Sequence, residues 1–272
     1  MSDDKIRVAV MGAAGRMGTT VCRAVLDAPD MELVAVIDPP HEGRPLDDFG
    51  IAGTGLTIEM VGPSVKKADP QVAVDFTNLD GVRANSRWCA LNGVHAVVGT
   101  TGLTSGDLQD LAGLFNGERA NAVIAPNFAI GAVLMMHLAD IAAPHFDAAE
   151  VIEMHHAAKL DAPSGTALST AKRLAARRGS KPFSHQKPDK TTLEGTRGGE
   201  EGSVAVHSVR LPGFVADQEV IFGLPGQTLT ITHRTTSREA YVPGVLLAIR
   251  KVTSEPRFYR GLDQLLGLDA RA

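Results

Sequence analysis

"IRVAVMGAAGRMG" (residues 6–18) runs from an apolar stretch directly into glycines at positions 12, 15 and 18. A short apolar run that ends on glycine fits a parallel strand buried on both faces. Behind it a helix-like segment extends from about Arg16 to Asp27 and is stopped by Pro29. A turn of this kind lets the backbone approach a pyrophosphate closely, and the helix start supplies unpaired N–H groups and positive dipole. The spacing is Gly-x-x-Gly-x-x-Gly instead of the commoner G-x-G-x-x-G, so alone it is a weak signal. The next stretch strengthens it. MELVAVID (31–38) is a second strand ending on Asp38, twenty residues after Gly18, where an acid can hold the ribose hydroxyls of NAD.

The same rhythm continues downstream. QVAVDFT (71–77), GVHAVVGTTG (93–102) and NAVIAPNF (121–128) read as further strands, with helical patterns at about 79–91 and 104–116. Strands alternating with helices at this spacing indicate an α/β fold with a doubly wound parallel sheet. Residues 39–66 are rich in Gly and Pro and form a loose connection, with LTIEMV (56–61) as a candidate strand inside it. Gly99-Thr100-Thr101-Gly102 and Ala125-Pro126-Asn127-Phe128 fall at carboxyl ends of strands, where open α/β sheets bind ligands. Asp38 is followed by Pro39 and Pro40, where an arginine would favour a 2′-phosphate. Arg16 and Arg44 are the basic residues left to reach such a group, so the reading leans to NADH and keeps NADPH open.

After residue 128 the pattern changes. AIGAVLMMHLADIAAPHF (129–146) reads as one long helix, EVIEMHH (150–156) as a strand, and SGTALSTAKRLAARRG (164–179) as a helix with basic residues near its end, which suits the helix dipole. Residues 180–202 are polar and rich in Gly, Pro and charge, as in a mobile loop. SVAVHSVRLPG (203–213), FVADQEVIFGLPG (214–226) and QTLTITHRT (227–235) are strand-like and separated by turn signals, so a largely antiparallel sheet is expected. The tail, REAYVPGVLLAIRKV (238–252) plus a short helix, is helical and suited to pack back on the first half. Residues 1–128 with 237–272 thus form the dinucleotide-binding domain, and 129–236 a second, α+β domain.

The bulk numbers exclude several classes. With 272 residues, 44% of them hydrophobic and 21% charged, the chain has the composition of a globular protein with a real core. A net charge of -4 gives no long-range pull toward nucleic acid or an anionic membrane, so any anionic ligand must be held by local groups. MSDDKIRVAV opens on acidic residues with no basic n-region and no cleavage site, so no secretory signal is expected. Cys22 and Cys89 are too few for a disulfide framework and suit reduced thiols in a cytoplasmic protein. The most apolar stretch, 122–143, is interrupted by Pro126, Asn127, His137 and Asp140, which argues against a membrane span.

EMHHAAKLDAPSGTA (153–167) places two histidines, a lysine, an aspartate and a Pro-Ser-Gly-Thr turn within fifteen positions. On a strand, Glu153 and His155 share one face while His156 points to the other, so adjacent histidines chelate one metal poorly, and no metal is expected. A hydrolase built on Ser164 lacks the G-x-S-x-G elbow and leaves the glycine loop without a purpose. An anion pocket fits better. Ser164 or a neighbour caps a helix, Gly165 and Thr166 offer N–H groups and a hydroxyl, Lys159 adds charge, and His155 or His156 exchanges a proton near neutral pH. The competing reading is a capped helix beside an exposed strand end with two solvated histidines.

MHHAAKLDAPSGTAL, together with VMGAAGRMG, VGTTG and APNFAIG, closely resembles the 4-hydroxy-tetrahydrodipicolinate reductase family of the diaminopimelate–lysine pathway, in the same order over nearly the whole chain. The H-H-x-x-K-x-D-A-P-S-G-T-A block is specific to that family, whereas the glycine loop indicates a dinucleotide only. The resemblance implies a Rossmann domain that binds NADH or NADPH, a second domain that binds a cyclic dicarboxylate, and a homotetramer assembled through that second domain. It makes His155 the general acid/base and Lys159 the proton-donating lysine, and has His156, Lys159, Ser164, Gly165 and Thr166 hold the substrate carboxylates. It assigns the cofactor to Gly12, Ala13, Ala14, Gly15, Arg16, Met17, Asp38, Gly99, Thr100, Thr101, Ala125, Pro126, Asn127 and Phe128. Two departures stand out: Pro39 replaces the basic residue that follows the ribose acid in members using NADPH readily, and Asp217 stands where related chains often have histidine. Two rivals remain at this stage: a Rossmann reductase of another small amino or imino acid, of the aspartate or homoserine dehydrogenase kind, and a non-catalytic NAD-binding regulator.

Overall fold

The computed structural model describes residues 5–184, 188–255 and 257–268. The chain divides into two compact units, Met1–Ile130 with Tyr241–Ala272, and Gly131–Ala240.

The first unit begins with β1 (Ile6–Met11), α1 (Arg16–Asp27), β2 (Met31–Ile37), a short α2 (Pro63–Lys67), β3 (Val72–Asp75) and α3 (Leu79–Asn92). It continues with β4 (His95–Val98), α4 (Ser105–Leu114) and β5 (Ala122–Ile124). Next come the elements of the second unit: α5 (Ile130–Ala142), β6 (Ala148–His155), α6 (Gly165–Arg178), β7 (Gly199–Glu201), β8 (Val204–Arg210), β9 (Ala216–Leu224) and β10 (Gln227–His233). The chain then returns to the first unit with α7 (Val242–Ser254), β11 (Phe258–Arg260) and α8 (Leu262–Leu265).

The first sheet has the order β11-β5-β4-β3-β1-β2 and every pairing in it is parallel. Its strands are continuous apolar runs because both faces are covered. Ala9, Met11, Ala73, Val98 and Ile124 pack with Val82, Cys89 and Leu111 of α3 and α4. The alternate residues Val8, Val10, Val72, Val74 and Val97 are also buried, and α1 and α7 supply Val21, Val25, Val245, Ala248, Ile249 and Val252 to the interior. Each fully buried Val or Ile contributes about 1.5–3 kcal/mol over an exposed one, so a bare face on this sheet is costly. From β2 the chain crosses back past β1 to reach β3. The direction of winding therefore reverses between β1 and β3, the place where such sheets bind ligands.

The second sheet has the order β10-β9-β6-β8-β7. Three of its four pairings are antiparallel, and β6–β8 is parallel. One face carries Ala149, Val151, Val206, Val220 and Phe222 against Met135, Ala139, Ala167, Ala171 and Leu174 of α5 and α6. Ile152, Met154 and Ile221 alternate with these and are only half-buried.

Several expectations need correction. LTIEMV forms no strand: it contributes two isolated bridges, a parallel one from Glu59 to Ile37, with the Glu59 N–H donating to Val36 at 2.9 Å, and an antiparallel one from Thr57 to Pro45. The long helix ends at Ala142 and one turn of 3-10 helix, Ala143–His145, follows. β8 and β9 do not pair with each other despite the Leu-Pro-Gly between them, because β6 lies between them. Within the 180–202 loop Phe183 is buried and Gly199–Glu201 pairs with β8; residues 185–187 lie outside the described residues. The tail holds an additional strand, β11, parallel to β5.

Candidate active site

The glycine loop and the neighbouring strand ends belong to the first unit. Gly12 has φ +79°, and a Cβ there would sit 3.2 Å from the Phe76 carbonyl oxygen. Gly18 is tighter: its Cβ would lie 1.9 Å from the Gly12 carbonyl oxygen. The first and third glycines are therefore sterically required for the turn to close on the helix. Gly15 caps α1 without a side-chain hydrogen bond, which leaves the first-turn N–H groups of Arg16 and Met17 facing an open helix start. Ala13 is fully buried, and its N–H is spent on Ile37 at 3.1 Å.

Asp38 is 9% exposed. One carboxylate oxygen accepts the Ala14 N–H at 3.1 Å and the other faces His41 Nδ1 at 2.8 Å. The acid is thus tied to the glycine loop itself, and a carboxylate retains lone pairs for further hydroxyl donors. Arg44 is engaged elsewhere: Nε and Nη2 reach Asp48 at 3.1 and 3.0 Å, and the guanidinium lies over the Phe49 ring. Arg16 is exposed at the start of α1.

Asp75, at the end of β3, accepts the Thr77 N–H (2.8 Å), the Thr77 hydroxyl (2.6 Å) and the Asn85 amide (2.8 Å). Burial raises its pKa against those bonds. The turn it holds brings Phe76 and Thr77 beneath Gly12, and the Thr100 hydroxyl donates to the Thr77 carbonyl at 2.7 Å. Gly99 is pressed against the Phe76 ring, 2.1 Å from where its Cβ would be, and Phe76 packs 6.0 Å from Phe128. Ala125 and Phe128 are buried and Asn127 caps the chain toward α5 by accepting the Ala129 N–H at 2.9 Å, whereas Pro126 and Thr101 are exposed. The structure therefore brings the ends of β1, β2, β3, β4 and β5 to one edge.

The second unit holds the histidine stretch. β6 ends at His155, so His156 lies in the turn that follows, its carbonyl accepting the Lys159 N–H at 3.1 Å. This corrects the expectation that both histidines belong to the strand. Glu153 is fully buried on the same face as His155, and its Oε2 lies 2.5 Å from His155 Nδ1. Arg210, at the end of β8, donates to both oxygens of Glu153 at 2.9 and 2.8 Å and to the Asp161 carbonyl at 2.6 Å. The Ser164 N–H donates to Glu153 Oε1 at 3.2 Å.

Burial pushes Glu153 up, but hydrogen bonds from Arg210, Ser208 and His155 outweigh it and leave the carboxyl below its ordinary pKa. Burial also dominates at His155, which stays below the ordinary imidazole value despite its Glu153 partner; the nearby Lys159 and Arg210 charges act in the same direction. Lys159 Nζ pairs with Asp161 at 2.8 Å. Ser164 is the N-cap of α6 and its Oγ accepts the Ala167 N–H at 3.2 Å. Gly165 and Thr166 form the first turn, and a Cβ on Gly165 would meet open space. Among the described residues no group of three His, Cys, Asp or Glu side chains could hold a metal ion.

Three contributors carry no strong sequence signal. Glu153 is legible only through strand alternation with His155. Arg210 lies 57 residues from Glu153. His41 follows two prolines and acts through a one-turn 3-10 helix, Pro39–His41.

Two family models match the chain: dihydrodipicolinate reductase, N-terminus, over residues 6–128, and dihydrodipicolinate reductase, C-terminus, over residues 131–266. The chain belongs to the dihydrodipicolinate reductase family. The 4-hydroxy-tetrahydrodipicolinate reductase of Moorella thermoacetica is 47% identical, covering 96% of this chain and 98% of the relative. That of Desulfitobacterium hafniense is 45% identical, covering 96% and 99%. Among solved structures, dipicolinate-bound dihydrodipicolinate reductase from Paenisporosarcina sp. TG-14 superposes with a TM-score of 0.83 at 39% identity, covering 96% of this chain and 99% of that one. The aspartate dehydrogenase of Thermotoga maritima, at 13% identity and a TM-score of 0.50, shares the fold alone. In this member of the dihydrodipicolinate reductase family, Asp217 is buried and accepts the Thr235 N–H at 2.9 Å, tying the start of β9 to the chain leaving β10.

Proposed function

We propose that the chain is a 4-hydroxy-tetrahydrodipicolinate reductase: the cyclic dicarboxylate loses its hydroxyl as water, and the conjugated C=N–C=C system so formed takes a hydride and one proton to give tetrahydrodipicolinate, with NADH in preference to NADPH. One observation carries the reading: His155, Lys159 and an open, capped helix start are assembled in one unit around buried Glu153 and its partner Arg210. Such a set suits a dianionic ring whose reduction needs a proton as well as a hydride.

The residues at the first sheet's carboxyl edge fit a dinucleotide, since Gly12 holds a positive φ, Gly18 leaves no room for a Cβ and Asp38 is aimed by the loop it bonds. Gly12 to Met17 would hold the pyrophosphate, Asp38 the ribose, and the 99–101 and 125–128 turns the nicotinamide end. When bound, the cofactor supplies the hydride. The lean to NADH is supported by Pro39 after Asp38 and by Arg44 being engaged with Asp48 and Phe49.

On the substrate side, the Gly165 and Thr166 N–H groups, with the Thr166 hydroxyl, receive one carboxylate, and the α6 dipole favours its charge. Lys159 and His156 receive the other. His155 Nδ1 is occupied by Glu153, so Nε2 is the atom left to exchange a proton with the ring. Burial disfavours the imidazolium form of His155 before substrate arrives. Two carboxylates brought beside it favour the imidazolium, so the proton is loaded by the same charge that the site binds. Lys159 exchanges Asp161 for substrate, and the one proton that the reduced ring takes up comes from the His155/Lys159 pair.

A homotetramer and a cytoplasmic location belong to the same proposal. The second sheet's half-buried apolar face, with Ile152, Met154 and Ile221, supports the first, and two free cysteines support the second. The test follows nicotinamide absorbance with enzymatically generated substrate, with NADH and NADPH in parallel. Oxidation of NADH at the lower cofactor KM is expected; no turnover with either cofactor refutes the activity, and a lower KM for NADPH refutes the preference.

A further inference from the structure

Glu153 touches three separate pieces of chain. It meets His155 on its own strand, Arg210 on β8, and the Ser164 N–H at the start of α6. Arg210 extends the cluster to the Asp161 carbonyl, and so to the segment between Lys159 and Ser164. Glu153 and Ser164 are buried, whereas His155 and Arg210 are partly exposed. An ionised carboxylate has no proton to give, so the imidazole proton of His155 must sit on Nδ1 for this contact to form.

We propose that Glu153, held by Arg210, is the positioning residue of this active site: it fixes the tautomer and ring orientation of His155 and locks the proton-exchanging histidine to the helix start that receives the substrate carboxylate. The proposal rests on the reading of His155 as the acid/base, and it assigns Glu153 no contact with substrate or cofactor. Because the same carboxylate holds both the imidazole and the Ser164 amide, a shift of the α6 start is transmitted to His155. The charged and titratable groups around His155 are Glu153 and the adjacent His156 on its own segment, Arg210 from β8, and Lys159 and Asp161 from the following turn. Opposite it on β9 stands the uncharged Ala216.

The test compares Glu153→Gln, His155→Gln and the double variant, reading the kcat–pH profile, substrate KM and NADH Kd. The Glu153→Gln change keeps the shape of the side chain and removes the charge that favours the imidazolium. The expected result is a basic limb moved down by about one pH unit and kcat at pH 7.5 lower by about tenfold or more, with NADH Kd unchanged. His155→Gln should abolish that limb, and the double variant should be no slower than His155→Gln alone, since both act through one imidazole. A wild-type profile in Glu153→Gln beside a damaged His155→Gln overturns the positioning role and leaves the acid/base reading intact. An undamaged His155→Gln overturns both. Should Glu153→Gln fail to fold, nitrogen-15 shifts of the His155 ring in the wild-type protein carry the test: an Nδ1–H tautomer supports the proposal and an Nε2–H tautomer overturns it.

Discussion

Replacing Lys159 by alanine separates chemistry from folding and from nucleotide binding. Its ion pair with Asp161 is short, 2.8 Å, but Asp161 is 58% exposed, and exposed pairs contribute about 0.2–1 kcal/mol. The fold should therefore lose no more than about 1 kcal/mol, a fall of at most about 4 °C in Tm for a protein of this size. The residues proposed to bind the nucleotide belong to the other unit, so NADH Kd should stay within about twofold. The rate should suffer far more. Loss of a positioned proton donor that also binds a carboxylate lowers kcat by about a hundredfold, or about 2.7 kcal/mol of transition-state stabilisation. Three measurements on one preparation check this: thermal melting, fluorescence titration with NADH, and steady-state absorbance with enzymatically generated substrate. Equal damage to kcat and to NADH affinity would refute the assignment, as would a kcat within threefold of wild type.

Other outcomes are equally specific. His41→Arg places a permanent cation beside Asp38 and should shift the ratio of NADPH to NADH affinity toward NADPH by about tenfold, read by fluorescence titration with each cofactor; an unchanged ratio removes the ribose end from Asp38 and His41. Gly18→Ala forces a Cβ toward the Gly12 carbonyl and should cost about 1–3 kcal/mol in chemical denaturation while weakening NADH; a stable variant with normal affinity would contradict the turn's geometry. Burial lowers the pKa of His95, His155 and His233 in the folded protein. As pH falls below about 6.5 the unfolded chain protonates first, so stability drops through that window and levels off below the folded-state values. Melting curves from pH 7.5 to 5.5 should show the fall, and His95→Gln with His233→Gln should flatten it; a rise in Tm on acidification would reverse the sign.

The parts of the fold that were legible in the sequence are those in which local chemistry has no alternative. Gly12 needs a positive φ and Gly18 has no space for a side chain, so the strand–turn–helix at residues 6–27 is written in residue type. Runs such as Val72–Asp75 and His95–Val98 are apolar because both faces are covered. LTIEMV misled because Ile58 is buried and looks like strand, yet only Glu59 bridges β2. β11 escaped because three residues carry no period, and its pairing with β5 is decided far along the chain. The parallel insertion of β6 between β8 and β9 is likewise a long-range choice that turn residues cannot announce. At the site, His155, Lys159 and Ser164 lie within ten positions and could be read together. The Glu153–Arg210 pair, whose carboxylate touches His155 and the Ser164 N–H, spans two strands and is visible only in three dimensions.

The return of α7 and β11 to the first sheet has a consequence for synthesis. A ribosome finishes β1 through β5 and must then make the 110 residues of Gly131–Ala240 before α7 emerges. At typical elongation speeds that takes about 6–22 s, and for that interval the nascent sheet lacks the helix carrying Val245, Ala248, Ile249 and Val252. The nucleotide-binding half, although translated first, is completed last, and stalled or prematurely released chains expose a greasy surface that invites chaperones and proteases.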